Sequence, residues 1–290
     1  MSGPFAERLP DVAGKGSIRV WLKSSAYTRR LLLGQASDPW VSGAHYLAYF
    51  SQAHGLLRPD VAVLEVGDLY DSWNAAHSGE LTESLGKRRK PATALRKLLE
   101  AEAPRKVLAE VVEAVLAHLR GQTPLVLSMP SPRRWTNHAN HLTGSTDIEL
   151  TADDAEDAAM YLADLMRSVS AFPVSGVLLE EARDAANFDA EDLTRYTSIV
   201  NVVRHYRWSL ALRLPNDAVP PPEALADFDA VISPAVESAG TAALGRDISA
   251  AFATGGAITP LSGRQFYFAE IDAGSRPEAV LETVARLRGG

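Results

Sequence analysis

No cysteine occurs in the 290 residues. That excludes disulfides, thiolate metal ligands and a cysteine nucleophile, and it fits a reducing compartment. No run approaches the ~20 apolar residues of a membrane span. Met1 to Gly16 is polar and glycine-containing, without the apolar centre of a secretory leader. Positive charge is scarce as well. The formal net charge is −7 and Lys87-Arg88-Arg89-Lys90 is the one dense basic run, so the footprint that a phosphate backbone requires is missing. No G-x-G-x-x-G or G-x-x-x-x-G-K-[ST] follows a candidate strand, and neither G-x-S-x-G nor H-E-x-x-H occurs. Dinucleotide, P-loop, serine-elbow and zincin chemistry therefore lose their usual signatures. A cytoplasmic protein is expected, with a small-molecule substrate and neither a nucleic-acid nor a membrane partner.

What is present is regular. Hydrophobic residues make up 46% of the chain and charged residues 22%, enough apolar content for one large core. Short aliphatic runs alternate with helical patterns. The candidate strands are Ser17 to Ser24, Val61 to Val66, Pro124 to Pro130, Val174 to Glu180, Trp208 to Leu214, Ala230 to Ser233, Ala257 to Pro260 and Gln265 to Ile271. Helical spacing covers Tyr27 to Gly34, Val41 to Leu57, a long stretch Leu95 to Leu119, a segment opened by Asp153 and Asp154, Leu193 to Tyr206 with Asp189 as its cap, Thr241 to Phe252, and Pro277 to Leu287. Alternation of this kind favours a parallel sheet, and eight units close most economically into a single α/β (β/α)8 TIM barrel. The expected organisation is a flexible N-terminal segment, 1–16, and a barrel domain, 17–290. A doubly wound open sheet is the structural alternative.

In such a barrel functional groups collect where strands run into the following loops. Lys23, Ser24 and Tyr27 follow the first strand; Glu65, Asp68, Tyr70 and Asp71 follow the second. The richest stretch is SMPSPRRWTNHANH after the third. Its Arg133 and Arg134 could clamp an anionic ligand over Trp135, although arginines also pair with surface carboxylates and tryptophan also serves as packing. His138 and His141 lie three apart, so a helix would put them on one face. With Glu180 or Glu181 they could hold a divalent metal, zinc being the option, or they could be two solvated histidines. No cofactor is otherwise expected. Glu65, Asp68 and Glu180 are the candidate acid–base carboxylates, and Lys23, Tyr27, Arg133, Arg134, Trp135 and Arg213 the candidate substrate contacts.

Four segments carry a family resemblance: RVWLKSSAY at Arg19 to Tyr27, VAVLEVGD at Val61 to Asp68, the stretch from Asp153 to Glu181, and the close FYFAEIDAGSRPEAVLETVARLR from Phe266. Together they resemble the superfamily of uroporphyrinogen decarboxylase and cobalamin-independent methionine synthase barrels. The resemblance implies a barrel with its site at the mouth, and it sets Asp68 or Glu65 where those decarboxylases keep an acidic residue for pyrrole nitrogens. It implies decarboxylase-like lyase activity on a carboxylated, aromatic or pyrrolic substrate. The alternatives are methyl transfer with a folate, corrinoid or thiol partner, metal-assisted, and a barrel that binds a ligand without catalysis. Two departures stand out. The arginine-rich R-Q-A-G-R-Y element is replaced by Lys23-Ser24-Ser25-Ala26-Tyr27, and the cysteine zinc ligands of the methyltransferase branch are absent. A homodimer fits this superfamily.

Overall fold

A computed structural model describes residues 3–34, 38–85, 90–145, 148–185, 188 and 190–289. Eight strands form one parallel sheet: β1 (Val20–Lys23), β2 (Ala62–Glu65), β3 (Leu125–Pro130), β4 (Gly176–Glu180), β5 (Ser209–Arg213), β6 (Ala230–Ser233), β7 (Ala243–Asp247) and β8 (Gln265–Glu270). The helices around them are α1 (Ser25–Leu33), α2 (Gly43–Leu57), α3 (Val66–Ala76), α4 (Glu80–Glu83), α5 (Ala92–Glu100), α6 (Glu102–Leu119), α7 (Pro132–Leu142), α8 (Ala152–Arg167), α9 (Thr197–His205), α10 (Ser249–Thr254) and α11 (Pro277–Gly289). The strand order β1-β8-β7-β6-β5-β4-β3-β2 is a nearly closed ring, the (β/α)8 TIM barrel. Ladders join every neighbouring pair except β1 and β2. There the Asp60 carboxylate accepts the backbone N–H groups of Arg19 at 2.7 Å and Val20 at 2.8 Å.

Because strand side chains alternate between faces, one period-two pattern fills two places. Trp21, Val126, Leu178, Ala211, Phe266 and Phe268 form an apolar cluster inside the ring, while Leu64, Leu127, Leu179, Leu212 and Val231 pack outward beneath the helices. Two residues beyond the inward-facing Trp21, Val126, Leu178, Ala211 and Phe268 come Lys23, Ser128, Glu180, Arg213 and Glu270. The barrel interior is thus apolar low down and charged at the carboxyl-terminal mouth.

Within the segment expected to be a flexible N-terminus, Phe5, Leu9 and Pro10 are buried, while most of residues 11–17 are exposed. Phe5 is fully buried and meets Trp21 edge-on at 5.4 Å. Its amide donates to Ser175 O at 3.2 Å, and the Ala6 amide donates to Ser209 Oγ at 2.9 Å. Gly176 makes the space, since a Cβ there would lie 2.4 Å from the Phe5 ring. Phe5 supplies apolar volume that the narrow inner faces of β4 and β5 leave unfilled.

Three element boundaries differ from the sequence reading. The seventh strand is Ala243–Asp247, inside the stretch expected to be helical, and no strand forms at 257–260. Ala-Leu-Gly-Arg-Asp lacks the β-branched signature because its inner position must be tiny: a Cβ on Gly245 would lie 2.7 Å from Ile232 and 2.8 Å from Phe266. The long helix breaks at Ala101, whose ψ of 123° is non-helical, and Pro104 sits in the first turn of α6 where no amide is missed. The arginine- and histidine-rich stretch after β3 is helix α7, with Pro132 in its first turn and the Ser131 hydroxyl accepting the Arg134 amide. The cap expected at Asp189 lies outside the described residues.

Candidate functional site

A cavity of about 270 Å³ opens at the mouth beside β1 to β4. Its floor is Lys23 and Glu180; one wall is Glu65, Gly67, Asp68 and Asp71 from β2 and α3, the other Ser128, Pro130, Arg134 and His138 from β3 and α7. A larger cleft, about 620 Å³, lies between the loops after β4 and β5 around Arg183, Pro215 and Asp217. The charged strand-end residues Lys23, Glu65 and Glu180 line the smaller cavity and not this cleft, so the smaller cavity is where the chemistry concentrates.

Lys23 Nζ sits 2.8 Å from Glu180, 3.1 Å from Glu270 and 3.2 Å from Glu65. Burial pulls its pKa down, but the three carboxylates outweigh that and raise it, so the ammonium stays charged. A charged amine is no nucleophile, which removes Schiff-base chemistry at this lysine. Arg213 lies behind it, bonded to Glu180 at 3.1 Å, Asp247 at 2.9 Å and Glu270 at 2.5 Å, with its guanidinium 4.8 Å above the Phe268 ring. Burial alone would raise the Glu180 pKa; Lys23, Arg213 and the Ser128 hydroxyl overcome it and hold the group at about 2. Glu180 is therefore a fixed anion.

Glu65 behaves differently. Burial pushes its carboxyl up, Lys23 opposes, and the neighbouring Asp68 and Glu180 charges add to the rise, leaving it at about 7. Burial also raises Asp68, against the ion pair it makes with Arg29 at 2.9 Å. At the rim His138 Nε2 lies 2.6 Å from Asp71 Oδ1. Arg134 is half-buried, directs Nη1 at the carbonyls of Glu180 and Glu181 at 3.5 and 3.4 Å, and makes no ion pair among the described residues. The Lys23–Glu65 pair also spans the β1–β2 edge that lacks a ladder, at the opposite end from Asp60.

The cavity thus brings together Lys23, Glu65, Asp68, Glu180, Arg134 and His138 of the expected residues. Six others are placed elsewhere. Tyr27 is 2% exposed in the cluster with Leu57 and Val280, beneath α11. Arg133 is held by Asp192 through Nε at 2.6 Å and Nη2 at 2.8 Å, and by Leu150 O at 2.9 Å. Trp135 is fully buried edge-on to Tyr70 at 5.6 Å, a packing residue and no stacking platform. Arg213 is 2% exposed and engaged by Glu180, Asp247 and Glu270, so it positions Glu180 and has no face for substrate. The metal set also comes apart. His138 pairs with Asp71, His141 is exposed, and Glu181 is buried against Ser131 Oγ at 2.6 Å and the Tyr196 hydroxyl at 2.7 Å. No three His, Asp or Glu side chains among the described residues are arranged to hold a metal ion, so the residues present do not fit zinc.

Two contributors escaped the sequence reading. Asp247 was hidden by the misplaced seventh strand, although it stands two residues beyond the inward Gly245 and so shares the parity of Lys23 and Glu180. Arg29 stands one turn into α1, beyond the reach of a rule that inspects strand ends only.

No family model and no curated protein matches the chain. Among solved structures it is similar to a methyltransferase from Methanosarcina mazei, at 12% identity and a TM-score of 0.60 over 98% of this chain and 94% of that one. The likeness is one of fold. More distant are a dihydrodipicolinate synthase from Agrobacterium tumefaciens (15% identity, TM-score 0.32, 64% of this chain and 63% of that one) and a 3-keto-D-glucoside 4-epimerase from E. coli (13%, 0.38, 94% and 100%).

Proposed function

We propose that the chain is a small-molecule lyase of decarboxylase type, acting on a carboxylated substrate in the mouth cavity. The observation that carries this reading is that Glu65, a carboxyl near neutrality, faces the Arg134 guanidinium across the cavity, where Arg134 makes no ion pair among the described residues. A carboxyl with a pKa of about 7 is populated in both forms at neutral pH, the condition for efficient general acid–base work. Arg134 anchors a carboxylate that stays on the substrate. The bond to a second, departing carboxylate breaks, and its electron pair passes into the substrate's own conjugated system. Glu65 then relays a proton from solvent to that carbon and returns to its resting form. Lys23 and Glu180 hold Glu65 in place and keep the floor polar.

Methyl transfer with a thiol, folate or corrinoid partner is the second reading, supported by the fold likeness to a barrel named a methyltransferase. One experiment separates the two. Ligand-dependent thermal stabilisation is measured against carboxylated aromatics and pyrroles in one arm and methyl carriers and thiols in the other, since binding to the native state raises Tm without an assumed reaction. Hits in the first arm are then assayed for CO₂ release. Shifts with carboxylated rings that vanish in Arg134→Ala support the lyase; shifts confined to methyl carriers or thiols replace it with transfer.

A further inference from the structure

The two walls of the mouth cavity carry opposite charge. From β2 and α3 come Glu65, Asp68 and Asp71, with no cation; from β3 and α7 come Ser128, Arg134 and His138, with no carboxylate. Arg29 offsets one carboxylate of the first wall, at 2.9 Å from Asp68, but does not itself line the cavity. The floor already shows how an ammonium is received here, since Lys23 Nζ rests within 3.2 Å of Glu65. A plain carboxylate ligand would satisfy Arg134 and leave the opposite wall facing an uncharged or repelled surface, an electrostatic mismatch.

We propose that the substrate is zwitterionic, carrying an ammonium group that seats between Glu65 and Asp68 in addition to the carboxylate held by Arg134. The inference rests on the carboxylated-substrate reading above and narrows it to conjugated amino-dicarboxylates small enough for about 270 Å³. Discrimination follows from the walls. An N-acylated analogue brings no cation to Glu65 and the part-exposed Asp68, and an analogue lacking the retained carboxylate leaves Arg134 unmet; either omission weakens binding. Proton linkage supplies a second signature. A cation arriving beside Glu65 favours its ionised form and expels a proton at pH 7, whereas an anion alone favours the protonated form and takes one up.

The test uses the full chain and a panel of conjugated amino-dicarboxylates of graded side-chain size, each with its N-acetyl counterpart and its counterpart lacking the retained carboxylate. Binding is followed calorimetrically at pH 7 in phosphate and in Tris, whose ionisation heats differ. The expected result is at least tenfold weaker binding of both counterparts, proton release with the parent compound, and at least tenfold loss in Glu65→Gln. Asp68→Asn, at a side chain one-third exposed, is the second variant should the Glu65 change disturb folding, and the same loss is expected there. N-acetyl compounds binding as tightly as their parents, or proton uptake with the parents, would overturn the zwitterion while dependence on Arg134 kept the carboxylate reading intact. If no carboxylate in the panel binds, or Arg134→Ala binds as the wild type does, both readings fall together.

Discussion

Replacing Glu65 by glutamine should change how stability depends on pH more than it changes stability itself. A carboxyl raised from 4.5 to about 7 by folding is better accommodated protonated. Its contribution is therefore fully present below pH 4.5 and is lost as pH climbs through 7. At about 1.4 kcal/mol per pKa unit, ionising that one group costs wild type about 2–3 kcal/mol between roughly pH 5 and pH 8. Glutamine keeps the size and an acceptor for Lys23, which retains Glu180 at 2.8 Å and Glu270 at 3.1 Å, and it does not titrate. Urea denaturation of both proteins should give similar free energies near pH 5 and a variant more stable than wild type by about 2 kcal/mol near pH 8, with equal m-values. Parallel pH profiles for the two proteins would refute the raised pKa and, with it, the acid–base role assigned to Glu65.

Arg133→Ala should lower stability by about 1 to 3 kcal/mol, because it strands the buried Asp192, and leave ligand affinity at the mouth unchanged in calorimetry; a lost ligand response would return Arg133 to the site. Arg213→Met should cost about 3–5 kcal/mol, since Asp247 is left buried without its cation and Glu180 keeps only Lys23, measurable as a lower denaturation midpoint. Phe5→Ala should cost about 3–5 kcal/mol as for other buried aromatics; a near-zero effect in chemical denaturation would show that the first residues are only loosely seated.

Much of this was legible in the sequence because strand parity does two jobs. The alternation that identifies Ser17 to Ser24 or Trp208 to Leu214 as strands also fixes which residues face inward, so Lys23, Glu180 and Glu65 could be picked from strand ends alone. Parity failed at β7, where packing against Ile232 and Phe266 demanded glycine and erased the usual strand composition. The stretch after β3 misled for another reason. Composition shows that Arg133, Arg134 and Trp135 are adjacent, but successive residues on a helix diverge by about 100°. On α7 that rotation sends Arg133 to Asp192, Trp135 to the core and only Arg134 to the cavity. Three-residue spacing likewise set His138 and His141 on neighbouring faces, yet which of them meets the mouth depends on how α7 is rolled against α3, and local sequence does not encode that. Phe5 was unreadable because nothing local marks a short apolar residue in a polar lead as the plug of a distant β4–β5 gap.

The β1–β2 edge has a consequence of its own. With no ladder there, the ring is a bracelet fastened at two ends: at one, the Asp60 carboxylate takes the amides of Arg19 and Val20 while the Asp60 amide donates to Val20 O at 3.4 Å, and at the other stands the Lys23–Glu65 pair. The second fastener is made from the residue assigned to move the proton. Each time Glu65 takes up a proton, the charge that draws it to Lys23 is switched off, so the chemistry at the mouth and the tightness of the clasp rise and fall together. Deuterium exchange at the Arg19 and Val20 amides, far below the cavity, would then register the protonation state above it.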